Sequence, residues 1–186
     1  ELYLHTLVTA VHSEEGRLRA LIVENKSGRE AISGTLFVDT SGDGDLATRC
    51  GAPFTVGREE DGLTQSATLT FRLDGVDTET LRRLVVENPE RYDLYGMTRH
   101  QFRVNRKHIM VGLTNLVKEA EAEGFQGMPS DRVIYVTLQT DGAVLINMTK
   151  VHHVKGHDAR ELTSAEVEAR GQVSIVLEFL QRYVPG

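Results

Sequence analysis

Apolar and polar residues alternate along the first part of the chain and predict three β-strands, at 2–11, 18–24 and 31–38. Clusters of Ser, Asn, Glu and Gly separate these runs and are typical of turns. Because the connections are short, we expect neighbouring strands to pair antiparallel, as a three-stranded meander. A fourth alternating run, at 64–73, predicts another strand with one apolar face, made of Ala67, Leu69, Phe71 and Leu73.

Helical spacing of apolar residues predicts two helices in the middle of the chain. The first covers 78–87, with Asp77 as its N-cap. The second is long, about 104–123, and Gly124 stands where a helix usually ends in a glycine. Its expected apolar stripe consists of Ile109, Leu113, Leu116, Val117 and Ala120.

The last part of the chain predicts a hairpin followed by a helix. Strands at 132–138 and 143–150 flank a Thr-Asp-Gly turn, which is a strong hairpin signal. The helix is expected at 164–183, where Thr163 and Glu166 have the spacing of a capping box.

A glycine-rich acidic loop follows the β-type run Leu36-Phe37-Val38 and precedes a short helical segment at 46–50. Gly42, Gly44 and Ala47 fit the loose G-x-G-x-x-G/A pattern in the strand, turn and helix order that this pattern requires. Helix starts carry unpaired amides and a favourable dipole for anions. The loop therefore predicts contact with a phosphate-bearing ligand.

The loop alone leaves other interpretations open. One is an ordinary strand-to-helix turn rich in Gly and Asp. Another is a calcium loop, although Cys50 stands where a bidentate Glu belongs and a β-run precedes the loop in place of a helix. An aspartic-protease loop would need Asp-Thr/Ser-Gly without an extra residue, and a second copy. The calcium interpretation depends on the spacing of five loop residues, Asp39, Ser41, Asp43, Gly44 and Asp45, which matches that of a calcium-binding loop.

Composition narrows the class of protein. The chain has 186 residues, of which 40% are hydrophobic and 26% charged, as in soluble globular proteins. The formal net charge of −6 argues against nucleic acid as the main partner. No apolar run reaches membrane-spanning length. The single cysteine, Cys50, excludes an internal disulfide and leads us to expect a cytoplasmic protein.

Two clusters of titratable side chains keep further functions open. The first, at the start of the predicted long helix, is either a solvated face or a patch for an anionic or carboxylate substrate. It consists of Arg99, His100, Arg103, Arg106, Lys107 and His108. The second, a loop with His152, His153 and His157, raises a metal site as a hypothesis, although it lacks regular ligand spacing.

Further residues around the loop resemble a known family. The chain is similar to FAD-dependent oxidoreductases built on the glutathione-reductase-like dinucleotide fold, and the similarity runs in order along nearly its whole length. The strongest motif is FVDTSGDGDLA, at 37–47, which resembles the family's (I/V)DATGDGDLA signature. The other matching segments are 51–54, 57–59, 62–65, 71–73, 75–77, 146–151, 162–173, 179–180 and 183–186.

The resemblance implies an α+β fragment: a β-meander and part of an α/β FAD-binding domain, plus a mixed cap or substrate domain. We expect a partial FAD-binding domain at 1–53, the cap at 54–161, and a helix at 162–186 that returns toward the FAD domain. The family's own pyrophosphate-binding G-x-G-x-x-G does not occur in this chain. We therefore expect the chain to be the middle of a flavoenzyme and, alone, to bind FAD weakly or not at all.

The resemblance also implies FAD as cofactor and hydride transfer between the flavin and a small-molecule substrate. No catalytic residue is assigned. The implied cofactor contacts are Val8, Ser41, Gly42, Asp43, Gly44 and Gln65, and the proposed substrate-binding residues are Arg99, His100 and Arg103. Two alternatives remain: a non-catalytic interaction or regulatory domain with a flavoprotein fold, and a calcium- or histidine-metal-binding protein.

Overall fold

The computed structural model describes residues 1–96 and 98–186. They form two compact units, Glu1–Gly62 and Leu63–Gly186. We describe each unit by itself. The expected domain limits after residues 53 and 161 stay predictions about the organisation of the protein.

The first unit contains the predicted antiparallel meander. Its strands β1 (Leu7–Glu14), β2 (Arg17–Asn25) and β3 (Gly28–Ser33) form a sheet in the order β1-β2-β3. The first predicted strand is displaced, because residues 2–6 precede β1 and are not paired within it. A short helix, α1 (Asp45–Arg49), follows the glycine loop and contacts β1.

The prediction of a buried strand entering the glycine loop is wrong for this unit. Residues 36–38 lie outside the paired strands, and β3 ends at Ser33. Leu36 is 81% exposed and Val38 73% exposed. A β-type run becomes a strand only where a neighbouring strand takes up its backbone N–H and C=O groups, and neither sheet of the described residues offers one to this segment.

The described residues of the second unit form a four-stranded antiparallel sheet, in the order β4-β7-β6-β5, and four helices. The predicted hairpin is confirmed as β6 and β7: the amide of Ala143 donates to the carbonyl of Thr140 at 3.2 Å across the turn. In chain order the elements are β4 (Phe71–Leu73), α2 (Thr78–Glu87), α3 (Arg99–Val104), β5 (Ile109–Gly112), α4 (Thr114–Ala122), β6 (Val133–Thr137), β7 (Val144–Ile146) and α5 (Ala159–Tyr183).

Side chains from the helices and from this sheet are buried together and form the main core. Its largest fully buried side chains include Phe102 of α3, Met110 of β5 and Phe179 of α5. A smaller cluster, Val151, Val154, Ala165 and Ala169, joins the start of α5 to the segment that precedes β4, where Ala67 and Leu69 pack on it. The apolar face predicted for 64–73 is therefore confirmed, but only Phe71–Leu73 is a strand, and Ala67 makes one isolated bridge to Val151.

The predicted long helix at 104–123 is wrong over its first half. The segment instead forms the end of α3, strand β5 and helix α4. Ile109, which we placed on the apolar stripe, is on β5 and 51% exposed. Gly112, with φ 149°, and Leu113, with φ 57°, turn the chain between β5 and α4. Pairing of β5 with β6 decides the outcome, because it satisfies the backbone from outside the local sequence.

Helix ends were predicted with mixed success. The amide of Thr80 donates to the carboxylate of Asp77 at 3.0 Å, which confirms that N-cap. Gly124, with φ 90°, ends α4 as predicted. Helix α5, however, begins five residues earlier than expected, capped by Asp158, whose carboxylate accepts two first-turn amides. The expected capping box is wrong, because the Thr163 hydroxyl lies inside the helix and donates to the carbonyl of Ala159 at 2.7 Å.

Both sheets are antiparallel, so the described residues are a mixed α and β structure, and the α/β part of the predicted FAD-binding domain stays a prediction. Among the described helices, none combines the length and the apolar character needed to cross a membrane.

Candidate functional site

The glycine loop is held in shape by one carboxylate, that of Asp39. Its Oδ1 accepts hydrogen bonds from the amide of Ser41 at 2.9 Å and from the Ser41 hydroxyl at 2.7 Å. Its Oδ2 accepts from the amide of Ala47 in α1 at 2.9 Å. The Ser41 oxygen in turn accepts from the amide of Asp45 at 2.8 Å. Asp39 therefore ties the start of the loop to the first turn of the helix that follows it.

These bonds strongly favour the ionised form of Asp39. The Ser41 hydroxyl, then the amides of Ala47 and Ser41, lower the pKa of Asp39 to about 2. The carboxylate thus stays charged, and stays an acceptor, across the physiological pH range. Sequence reasoning gave Asp39 no part in holding the loop. The available signal was an Asp two residues before a Ser and a few residues before a helix start, which is the pattern of a local Asx-type turn.

The expectation of unpaired amides at the start of α1 needs correction. The amides of Asp45 and Ala47 are taken by Ser41 and Asp39. Asp45 also pairs with Arg49 at 3.1 Å, so the cation of this helix is engaged too. The loop is acidic, and its first-turn amides serve the loop itself. A free phosphate would meet carboxylates here, which disfavours the phosphate interpretation of the glycine spacing.

What the loop leaves open is its backbone at Gly42 and Gly44. Both glycines are free of neighbours, since a Cβ built on either would meet no heavy atom within 4 Å. Gly44 has φ 68°, a left-handed conformation that glycine adopts without strain. Asp43, between them, is exposed. The loop thus leaves space beside its backbone at both glycines and exposes the Asp43 carboxylate, while the Gly44 carbonyl accepts from the amide of Thr48 at 3.0 Å.

The other expected cofactor contacts fall in two places. Val8 lies on β1, an edge strand of the meander and the strand that α1 contacts, so it belongs to the same unit as the glycine loop. The Ser41 hydroxyl is fully engaged inside the loop. Gln65 is exposed and lies in the second unit. Val8 thus lies in the same unit as the loop residues, whereas Gln65 lies in the other unit.

The three expected substrate-binding residues share helix α3. Arg99 is engaged within the fold: its guanidinium donates to the carbonyl of Val86, near the end of α2, with Nε at 3.0 Å. Arg82 of α2 reciprocates, since it donates to the carbonyl of Phe102. His100 and Arg103 are exposed. Arg99 is exposed as well, but its guanidinium already joins α3 to α2, so we expect His100 and Arg103 to be the side chains that meet a ligand.

The histidine loop was the other candidate cluster. The Nδ1 atom of His152 lies 2.9 Å from the Ser66 hydroxyl, and His153 has φ 61°. Among residues 1–96 and 98–186, no group of three or more His, Cys, Asp or Glu side chains is arranged to hold a metal ion. Cys50 is exposed and forms no disulfide.

In the first unit the glycine loop leads into α1, and α1 contacts strand β1 of the meander. The family model described as FAD dependent oxidoreductase matches residues 1–186. The chain therefore belongs to the FAD dependent oxidoreductase family, which confirms the resemblance seen in the sequence. Membership implies FAD as cofactor and redox chemistry as the general function. No curated protein and no solved structure matches the chain.

The loop residues fit FAD in one particular respect. FAD carries hydroxyl groups as well as phosphates, and the free carboxylate of Asp43 is an acceptor suited to hydroxyls. The bare backbone at Gly42 and Gly44 leaves space for a bulky group to approach. The acidic character of the loop fits a contact with the sugar-like part of the cofactor better than one with its phosphates.

Proposed function

We propose that this chain is part of an FAD-dependent oxidoreductase that moves hydride between a small-molecule substrate and the flavin. The observation that carries the proposal is the Asp39-anchored glycine loop, in a chain that matches the family over residues 1–186. Bound FAD would supply the two-electron redox chemistry. The protein's contribution is to bind, orient and shield.

In this proposal each residue of the glycine loop has its own role in binding the cofactor. Asp39 and Ser41 fix the loop before any ligand arrives, so that little conformational entropy is lost on binding. Gly42 and Gly44 let the cofactor approach the backbone, and Asp43 accepts hydrogen bonds from cofactor hydroxyls. Val8 would contribute backbone contacts, and Gln65 is a further expected cofactor contact.

Substrate recognition is assigned to α3. His100 and Arg103 are exposed on this helix and would meet an anionic or carboxylate group of the substrate, while Arg99 keeps the helix fixed on α2. The proposal assigns no residue to proton transfer and names no particular substrate.

The first test is the visible absorption spectrum of the full natural gene product, purified from cells. Flavin bands, or their appearance after FAD is added and excess removed, would support the proposal. A protein that stays colourless after reconstitution would contradict it and favour the non-catalytic alternative.

The second test addresses the loop directly. Asp39→Ala removes the anchor, and we expect FAD affinity to fall about tenfold or more, because the loop must then be ordered on binding. The matched control is Asp74→Ala, an exposed carboxylate that pairs with Arg72, which should leave the affinity unchanged. Equal affinities of Asp39→Ala and the native protein, measured by flavin fluorescence titration, would refute the role of the loop.

A further inference from the structure

His108 occupies a distinctive place between helix α3 and the sheet. It directly precedes β5, and its side chain is half-buried. Its ring lies edge-on to Phe102 of α3, with centroids 5.0 Å apart, and to Tyr135 of β6, with centroids 5.6 Å apart. The imidazole therefore fills the joint between the helix and the sheet.

Both ring nitrogens have a partner, and the partners define the tautomer. Nδ1 lies 3.2 Å from the carbonyl oxygen of Arg106, which can only accept, so Nδ1 carries the hydrogen. Nε2 lies 2.9 Å from the Tyr135 hydroxyl and accepts its hydrogen. The backbone amide of His108 donates to the Thr137 hydroxyl at 2.7 Å. The neutral ring satisfies every group around it.

A protonated ring would not satisfy them. Nε2 would become a donor, and the Tyr135 hydroxyl would have to turn and accept from it. Tyr135 is only 4% exposed, so its own O–H would then lack an acceptor in a buried place. Protonation of His108 therefore disfavours the packing of its ring between α3 and Tyr135.

The charged groups around His108 do not cancel this conflict. Burial is the main cause that lowers the pKa of His108 below its usual value of 6.5. From α2, the Arg82 cation lowers it further and the Glu79 carboxylate raises it, while the carbonyl of Arg106 also raises it. Arg82 and Glu79 pair with each other, so their charges largely offset at His108.

Helix α3 depends on such tertiary contacts. It has six residues, too few to be stable as an isolated helix. Besides the ring of His108, it is held by the burial of Phe102, which is fully inaccessible, and by the arginine contacts with α2. Loss of one of these anchors should shift α3 measurably toward an open state.

We propose that His108 is a proton-sensitive latch: the neutral ring holds α3 against the sheet, and protonation releases the helix. Since α3 carries His100 and Arg103, release would displace the residues to which the proposed function assigns substrate recognition. The latch itself requires neither FAD nor a substrate, so its test stands apart from that of the proposed function.

The direction of the pH effect follows from the lowered pKa. In the open state His108 is exposed to water and titrates near 6.5, whereas in the closed state it titrates lower. The open state therefore binds the proton more readily. The stabilisation of α3 by the latch is complete above about pH 6.5 and decreases as the pH falls from there toward the pKa of the closed state.

Hydrogen exchange followed by mass spectrometry, on the purified full natural protein, tests this from about pH 8 to about pH 5. After correction for the intrinsic exchange rate, protection of α3 should fall below about pH 6.5, by up to about tenfold per pH unit. His108→Gln keeps a donor and an acceptor without a titratable group, and should remove this pH dependence. His100→Gln, an exposed histidine on the same helix, should retain it.

Tyr135→Phe supplies a second variant in case His108→Gln does not fold. Without the hydroxyl the neutral ring loses its partner at Nε2, so the protection of α3 above about pH 6.5 should fall below that of the native protein. The proposal is overturned by pH-independent protection of α3 in the native protein, by an undiminished pH dependence in His108→Gln, or by unchanged protection of α3 above about pH 6.5 in Tyr135→Phe.

Discussion

The junction between β5 and α4 provides a sharp stability prediction, Gly112→Ala. A Cβ at this position would lie 2.1 Å from the carbonyl oxygen of Asp93 and 3.3 Å from the Cα of Leu94. The same Asp93 oxygen accepts a hydrogen bond from the amide of Leu113 at 2.9 Å. The clash therefore cannot be relieved without moving the segment that holds the junction together.

The magnitude follows from three causes. Gly112 has φ 149°, where a side chain costs about 1–2 kcal/mol. The forced backbone shift adds about 1–3 kcal/mol, as for other overpacked sites. Weakening the bond from Leu113 to Asp93 adds about 1 kcal/mol. We expect a loss of about 3–6 kcal/mol, which at about 2–4 °C per kcal/mol lowers the unfolding temperature by about 6–24 °C for a protein of this size.

Thermal unfolding followed by far-UV circular dichroism measures the effect. The matched control is Gly171→Ala, because Gly171 lies inside α5 and a Cβ there meets no atom within 4 Å. This control should stabilise the protein by about 0.5–1 kcal/mol, since alanine favours a helix. If Gly112→Ala unfolds within about 2 °C of the native protein, close approach is not what requires glycine at this junction.

Two further substitutions test contacts that join distant segments. Arg82→Ala removes the hydrogen bonds that join α2 to α3 and should lower the free energy of unfolding in urea by about 1–3 kcal/mol. The control Arg83→Ala changes an exposed neighbour and should alter it by no more than about 0.5 kcal/mol. Equal effects of the two substitutions would refute the role of Arg82 in joining the helices. Thr149→Val leaves the amide of Leu69 without the hydroxyl that accepts from it at 2.7 Å and should cost about 1–3 kcal/mol. Thr149→Ser should recover most of this loss, and no recovery would show that the methyl group matters more than the hydroxyl.

Features with local causes were predictable from the sequence. The turn between β6 and β7, the cap at Asp77 and the glycine at the end of α4 all rest on groups a few residues apart. The ion pairs of α5 between Glu178 and Arg182 follow in the same way from helical spacing. In each case the chain supplies both partners of the interaction within one turn.

Features that depend on partners far away in the chain were not predictable from the sequence. The stretch around Ile109 has apolar spacing compatible with a helix, yet it pairs with β6. Residues 36–38 have the composition of a strand, yet no strand of the described residues pairs with them. Composition does not predict either outcome, because each depends on whether a strand elsewhere in the fold hydrogen-bonds to the backbone N–H and C=O groups of the segment.

The candidate site shows both kinds of determination. The sequence by itself determined the family, the cofactor that the family implies and the position of the glycine loop, because glycine spacing and the acidic motif are local properties of the chain. Only the tertiary structure decided that Asp39 reaches Ala47 across the loop and that Arg99 faces Val86. It also placed His108 between Phe102 and Tyr135, 27 residues away in the chain. These contacts join groups whose distance depends on the folded backbone, and charge or residue type alone does not fix it.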